Sequence, residues 1–237
     1  MNNMAIRIWT ACGPSAFIGS DRATSTAISS VAKTRVLLVH GIADSAASMR
    51  MLQKRLARDS RESLAITLMP GDGSVSLEEL SLQLRDYVRD HFSPDERFDL
   101  VGFSMGGLVC RYYVQFLEGR RQVDRLVTIS SPNQGTLLAF LNRRVGCKQM
   151  RPGSAFLQKL NHDCSALRDL NVTSFWTPLD LIILPAKSSR LPCAVNKEIP
   201  VIAHPLMILQ RKPLDEIAKA LSQPIRRRLT RQECSKL

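Results

Sequence analysis

The sequence predicts an α/β fold, a mostly parallel sheet covered by helices on both faces. Three observations carry this. Short, continuous apolar runs recur along the chain, as strands buried on both faces require. Stretches with helical spacing of apolar residues separate them. The 237 residues, 44% of them hydrophobic, suffice to close one sizeable core.

The elements can be justified in order. Residues 1–33 carry many small and hydroxyl side chains and a single acid, Asp21. They lack the roughly 7–15-residue apolar stretch of a secretory signal. This segment reads as a leader outside the fold, with a composition leaning toward an organelle transit peptide. The domain is expected over 34–223. It opens with "RVLLVHG", whose Val36–Val39 run is the first strand. Met49, Leu52 and Leu56 give the face of the first helix. "LAITLMP" reads as the second strand, ended by Pro70-Gly71. Ser76 and Glu79 have capping-box spacing, and Leu77, Leu80, Leu84 and Val88 line the helix behind them. "FDLVGF" is the third strand, "MGGLVCRYYVQFLEG" the third helix with Gly119 as its stop, and "RLVTIS" the fourth strand.

Residues 135–170 break the rhythm with short helical patterns and Pro/Gly breaks. They are expected to form a short helical cap insertion at the carboxyl edge of the sheet, with Phe140 and Phe156 facing the substrate. Strands return at "VTSFW" and "EIPVIA". A last helix starts near Pro213, with Leu214, Ile217, Ala218 and Leu221 on one face. Residues 224–237 form a basic tail.

Charge and cysteine usage narrow the function classes. The net charge is +12, and from Arg211 onward eight basic residues face three acidic ones. No nucleic-acid motif accompanies them, so no nucleic-acid partner is expected. Peripheral contact with an anionic membrane through the tail is the expectation instead. The six cysteines form no CxxC pair, and no zinc or other metal site is expected. Spacing alone leaves a Cys147–Cys164 bridge open. No apolar run reaches the roughly 18 residues needed to cross a membrane.

The chemistry lies in "FDLVGFSMGGLVCRYYVQFLEG", Phe98 to Gly119. A hydroxyl becomes a useful nucleophile when a sharp strand-to-helix turn lifts it above the sheet, beside a base. Gly102-Phe103-Ser104-Met105-Gly106 has that G-x-S-x-G pattern, with a strand before it and a helix after it. Gly102 and Gly106 permit the close backbone approach. Among four histidines, His162 and His204 follow Ser104, and His204 stands behind a predicted strand. Asp180, beyond "TSFWTPLD", is the acid expected to orient it, with Asp163, Asp169 and Asp215 as rivals. Met105 and Ile42 are the expected backbone donors to an oxyanion. His40 reads as a structural residue of its turn.

These segments, "VLLVHGI", "VGFSMGG" and "TSFWTPLDLIILPAKSSRLPCAVNKEIPVIAHPLMIL", resemble the α/β-hydrolase lipases, above all the small bacterial lipases of the class 2 type. The resemblance runs from about Arg35 to Leu209. It implies an α/β-hydrolase fold, a Ser104–Asp180–His204 triad, an ester or lipid substrate, and no cofactor. Ala203 stands where that family has glycine before the histidine, Pro205 follows it, and Cys193 replaces a common glycine. "QMRPGSAFLQKLN" resembles the cap segment of related bacterial hydrolases. The expected activity is hydrolysis of carboxylic esters. An acyltransferase or thioesterase would use the same triad, and a non-catalytic membrane-surface module is the alternative without chemistry. The expected compartment is cytoplasmic. In a eukaryote the ending Ser235-Lys236-Leu237 would be a peroxisomal address.

Overall fold

The computed structural model describes residues 34–225. The leader 1–33, Cys12, Cys234, the basic run from Arg226 and Ser235-Lys236-Leu237 lie outside the described residues. Six strands form one sheet: β1 (Arg35–Val39), β2 (Ser63–Ile66), β3 (Phe98–Phe103), β4 (Val123–Ile129), β5 (Asn171–Trp176) and β6 (Val195–Glu198). Their order is β2-β1-β3-β4-β5-β6, and every pairing is parallel. All strands therefore end at one edge, and the loops after them share it.

The apolar runs form central strands because both faces are covered. Leu37, Val39, Leu100 and Leu126 point into one core, with α2 (Leu77–His91) and α3 (Met105–Phe116). Val36, Leu38, Val101, Val127 and Ile129 point into the other, with α1 (Arg50–Arg58) and α7 (Arg211–Leu221). The helical faces are those the spacing predicts: Met49, Leu52 and Leu56 are buried, as are Leu214, Ile217, Ala218 and Leu221. Ser76 and Glu79 make a reciprocal capping box at the start of α2.

Four expectations are adjusted. First, β2 ends at Ile66, short of Met69, and Leu68 gives its N–H to His40 instead of to a neighbouring strand. Second, α3 stops at Phe116, and the left-handed residue behind it is Glu118, at φ 64°. Gly119 is needed for space, because a side chain there would enter the Tyr113 ring. Third, the last strand is Val195–Glu198, not "EIPVIA". Ile199 still donates to Trp176 O at 2.8 Å, and then Pro200, having no N–H, ends the pairing.

The fourth concerns 135–170. This insertion is helical: a short 3-10 turn (Leu137–Leu141), then α4 (Val145–Gln149), α5 (Ala155–His162) and α6 (Ser165–Arg168). Its second half packs beside α3. Phe156, Leu157, Leu160 and Leu167 are buried in the α2/α3 core. Cys110, Cys147, Cys164 and Cys193 are all free thiols.

The amino edge of the sheet is closed by ions. Asp99 on β3 is fully buried; its carboxylate accepts from Arg61 Nη1 at 2.7 Å and from Arg125 Nη1 at 3.0 Å. The same guanidiniums donate to Leu221 O and Gln223 O, tying down the end of α7. Asp99→Ala leaves two buried cations facing one another. Removing one partner of such a cluster costs on the order of 3–5 kcal/mol. Urea unfolding should show a large fall in midpoint; an unchanged midpoint would mean that the arginines are held by the carbonyls alone.

Candidate active site

The turn between β3 and α3 is built by close backbone approach. Ser104 sits at φ 53°, ψ −122°, a region that L-residues rarely occupy, and its N–H donates to Ile129 O at 2.8 Å. A Cβ on Gly102 would lie 2.5 Å from Gly106 O and Gly107 Cα, and one on Gly106 would enter the carbonyls of Val39 and His40. Only glycine lets these strands and the helix meet. Strain concentrates here: among described non-glycine residues with positive φ, Ala43, Ser104 and Ser130 all follow strand ends at this edge.

The two other triad candidates come from the loops after β5 and β6. His204 Nδ1–H donates to Asp180 Oδ2 at 2.8 Å, and both side chains are buried. The other carboxylate oxygen, Oδ1, accepts the N–H groups of Ile182 and Ile183, each at 2.9 Å. Burial raises the Asp180 pKa, but His204 and these two N–H donors outweigh it and hold the carboxyl below its usual range. With Nδ1 engaged, Nε2 of His204 is the nitrogen left for chemistry. The ring also packs against Phe103 at 4.8 Å between centroids.

Ser104 and His204 line one cleft of about 370 Å³ with Gly41, Ile42, Phe103, Ile182, Pro205, Ile208 and Leu209. Its lining is mainly apolar. Ser104 is 5% exposed and lines this cleft. Met105 opens α3, where the first N–H groups have no acceptor within the helix. Ile42 lies in the turn after β1, which Ala43 N–H to Gly71 O at 2.7 Å holds against the second strand's loop. Gly41 brings that turn to the nucleophile; a Cβ there would stand 3.1 Å from Ser104 Cβ.

Other expected residues lie elsewhere. Phe156 is 4% exposed and stacks on Tyr112 in the core, and Phe140 is 55% exposed beneath the Arg151 guanidinium. Neither lines the Ser104 cleft. Phe156 is taken up by the packing of its own helix, while Phe140 stays at the surface. The rival acids are also accounted for. Asp163 accepts the N–H of Ser165 at the start of α6, Asp215 pairs with Arg55, and Asp169 is exposed.

Sequence reasoning missed what holds the loops. Thr136 Oγ1 donates to Ile182 O at 2.7 Å and accepts from Leu184 N–H at 2.9 Å, joining the loops after β4 and β5. Thr177 Oγ1 donates to Val201 O at 2.7 Å, joining those after β5 and β6. Behind them Arg111, fully buried on α3, donates to Asn133 Oδ1, Leu160 O and Asn161 Oδ1. Asn133 in turn donates to Ser189 O at 2.7 Å. A charged residue inside the apolar run of α3 was the one signal available.

His40 is fully buried and bonded on both nitrogens. Nδ1–H donates to Gly41 O at 2.7 Å, and Nε2 accepts Leu68 N–H at 2.9 Å. A proton on Nε2 would set two donors face to face. Burial lowers the pKa of this imidazole, against the Gly41 carbonyl and Asp44. The unfolded chain therefore binds this proton at higher pH than the folded one. The contribution of His40 is complete above the ordinary value of 6.5 and is lost as pH falls below it. Between about pH 7.5 and about pH 5.5 the wild type should lose more thermal stability than His40→Gln. Parallel losses would place the acid sensitivity at another group.

Known proteins resemble this chain in sequence and in fold. The family profile of palmitoyl protein thioesterases matches residues 35–179. The chain is 37% identical over 78 residues to triacylglycerol lipase 2 of Saccharomyces cerevisiae, covering 31% of this chain and 24% of that protein. It is 31% identical over 105 residues to lysosomal thioesterase PPT2 of Mus musculus, covering 42% and 34%. The chain thus spans about a quarter to a third of the curated relatives it matches. Among solved structures, the mature lipase BlEst2 of Bacillus licheniformis superposes with a TM-score of 0.69 at 16% identity, over 81% of this chain and 94% of that one. The fold is that of the α/β-hydrolases, and the chain belongs to the palmitoyl protein thioesterase family.

Proposed function

We propose that the protein is a serine hydrolase of carboxylic esters, a lipase or esterase, acting through an acyl-enzyme. The observation that supports this most is the His204–Asp180 hydrogen bond of 2.8 Å in the cleft that Ser104 lines. In this reading Ser104 Oγ attacks the acyl carbonyl while His204 Nε2 takes its proton. Asp180 keeps the tautomer and stabilises the imidazolium. The backbone N–H groups of Met105 and Ile42 receive the oxyanion, and each such donor is worth on the order of 3 kcal/mol of barrier. His204 then protonates the leaving oxygen. A water, deprotonated by His204, attacks the acyl-enzyme, and collapse of the second intermediate returns the proton to Ser104 as the acid leaves.

A thioesterase is the second reading, favoured by the family profile over 35–179. The acyl half of the reaction is the same; only the leaving group changes from alkoxide to thiolate. The apolar side chains of Ile42, Ile182, Ile208 and Leu209 at the cleft fit an acyl chain in either case.

Ser104→Ala should fold normally, lose labelling by a fluorophosphonate and lose nearly all ester turnover; labelling that persists would place the nucleophile elsewhere. Asp180→Asn should lower kcat by up to about four orders of magnitude, since the wrong imidazole tautomer is held. A mild effect there would mean that another acid orients His204. A series of p-nitrophenyl esters, run beside matched acyl thioesters, should favour medium or long chains over acetate, since each methylene removed from water is worth about 0.8 kcal/mol. A flat profile would show that the cleft does not hold the chain.

A further inference from the structure

Large apolar side chains are unevenly exposed on this molecule. Among the described residues, most of them sit on loops that follow strand ends, at the edge that holds Ser104. Leu137, Phe140 and Leu141 come from the turn after β4, and Leu179, Leu181 and Ile182 from the loop after β5. Leu141 is 82% exposed and Leu181 73%; Ile202, after β6, is 75% exposed. The first two groups form one stitched surface, since Leu137 N–H donates to Leu184 O at 2.8 Å and Thr136 bridges both loops. Ile182 lines the mouth of the cleft itself.

The charge beside the turn after β4 is mainly positive, while Asp44, exposed behind β1, lines the cleft. The chain has no acid between Asp124 and Asp163, while Arg143, Arg144, Lys148 and Arg151 fall in that interval. Arg143, Arg144 and Lys148 are exposed, and Arg151 lies over the Phe140 ring at 4.9 Å. Asp72, on the neighbouring loop, pairs with Arg144. An apolar ridge edged by cations fits an apolar phase with an anionic surface. It does not fit a second copy of the same ridge, which would bring like charges together in a chain of net charge +12.

We propose that the ridge formed by 137–145 and 179–182 docks the protein on an anionic lipid surface, with the mouth of the Ser104 cleft facing the lipid. This rests on the acyl-ester reading for its purpose but not for its measurement. It moves the membrane contact from the basic tail to the edge of the cleft. Leu141 and Leu181 enter the acyl region, and Arg143 and Lys148 meet the headgroups.

The test is co-sedimentation of the full-length chain with vesicles, in a Ser104→Ala background so that no lipid is consumed. One vesicle is phosphatidylcholine alone; the other contains roughly one third phosphatidylglycerol. The proposal expects salt-sensitive binding to the anionic vesicle. Leu141→Asp and Leu181→Asp should each weaken it about tenfold or more, and Arg143→Glu should weaken it and reduce its salt dependence. The same substitutions in the Ser104 chain should leave turnover on a water-soluble short ester unchanged. Absence of vesicle binding, equal binding by all variants, or loss of binding only when Arg226, Arg227 and Arg228 are replaced would overturn the proposal. So would a dimer in light scattering that Leu141→Asp dissolves. Failure of the hydrolase reading would show separately, as vesicle binding with no turnover or labelling at Ser104.

Discussion

The cleft depends on backbone segments approaching more closely than any side chain permits. Gly102 lies against the first turn of α3, and Gly106 against the carbonyls of Val39 and His40. This fixes three elements at once: the third strand, the helix behind the nucleophile, and the turn after β1. Ser104 is carried into its strained backbone region as the only way to connect them. Such a residue costs on the order of 1–3 kcal/mol. The surrounding strands and helices offset that by burying nearly all of their apolar surface on both sheet faces. A looser packing would let Ser104 relax out of the turn that carries it into the cleft.

The remaining parts of the site are held by polar links between loops, not by packing alone. A parallel sheet delivers its loops to one edge but does not set their heights or directions. Thr136 and Thr177 do that, each joining two successive loops through one hydroxyl. Asp180 belongs to the middle loop, so both links act on its position. Its carboxylate has little freedom left, since two backbone N–H groups occupy one oxygen and His204 the other. The acid is thus aligned before any substrate enters, a requirement for electrostatic stabilisation that involves no reorganisation.

The sequence carried much of this, unevenly. Strands β1, β3, β4 and β5 were legible because burial on both faces concentrates large apolar residues in short stretches. The helices were legible because burial on one side gives them a stripe. Edge strand β6 was not, since "VNKE" is half-exposed and has no such signature, while Ile199 and Val201, just beyond it, are buried without being in a strand. The insertion was legible as helical but not as to direction. Phe156 and Leu160 have the spacing of any buried helical face, and spacing does not say which surface buries it. Thr136, Thr177 and Asn133 gave no signal, because a single hydroxyl or amide in a loop is compositionally ordinary. His204 and Asp180 were legible through order along the chain, which this topology converts into proximity at one edge.

The two edges of the sheet treat charge in opposite ways. At the amino edge, the Asp99 carboxylate is shared by two arginines, so opposite charges meet inside the fold. At the carboxyl side, Arg111 is buried against neutral acceptors: Asn133, the Leu160 carbonyl and Asn161. Burial lowers its pKa to about 10, so it remains a cation at neutral pH. Six residues separate it from Met105, about 9 Å along the helix axis. The guanidinium is a positive charge on the same helix whose amino end meets the Ser104 turn. The sign matches that of the helix amino end, which already favours negative charge at the turn. A carboxylate beside Arg111 would have made the core easier to bury but would have cancelled this charge. Neutral partners let the guanidinium be buried without cancelling its charge.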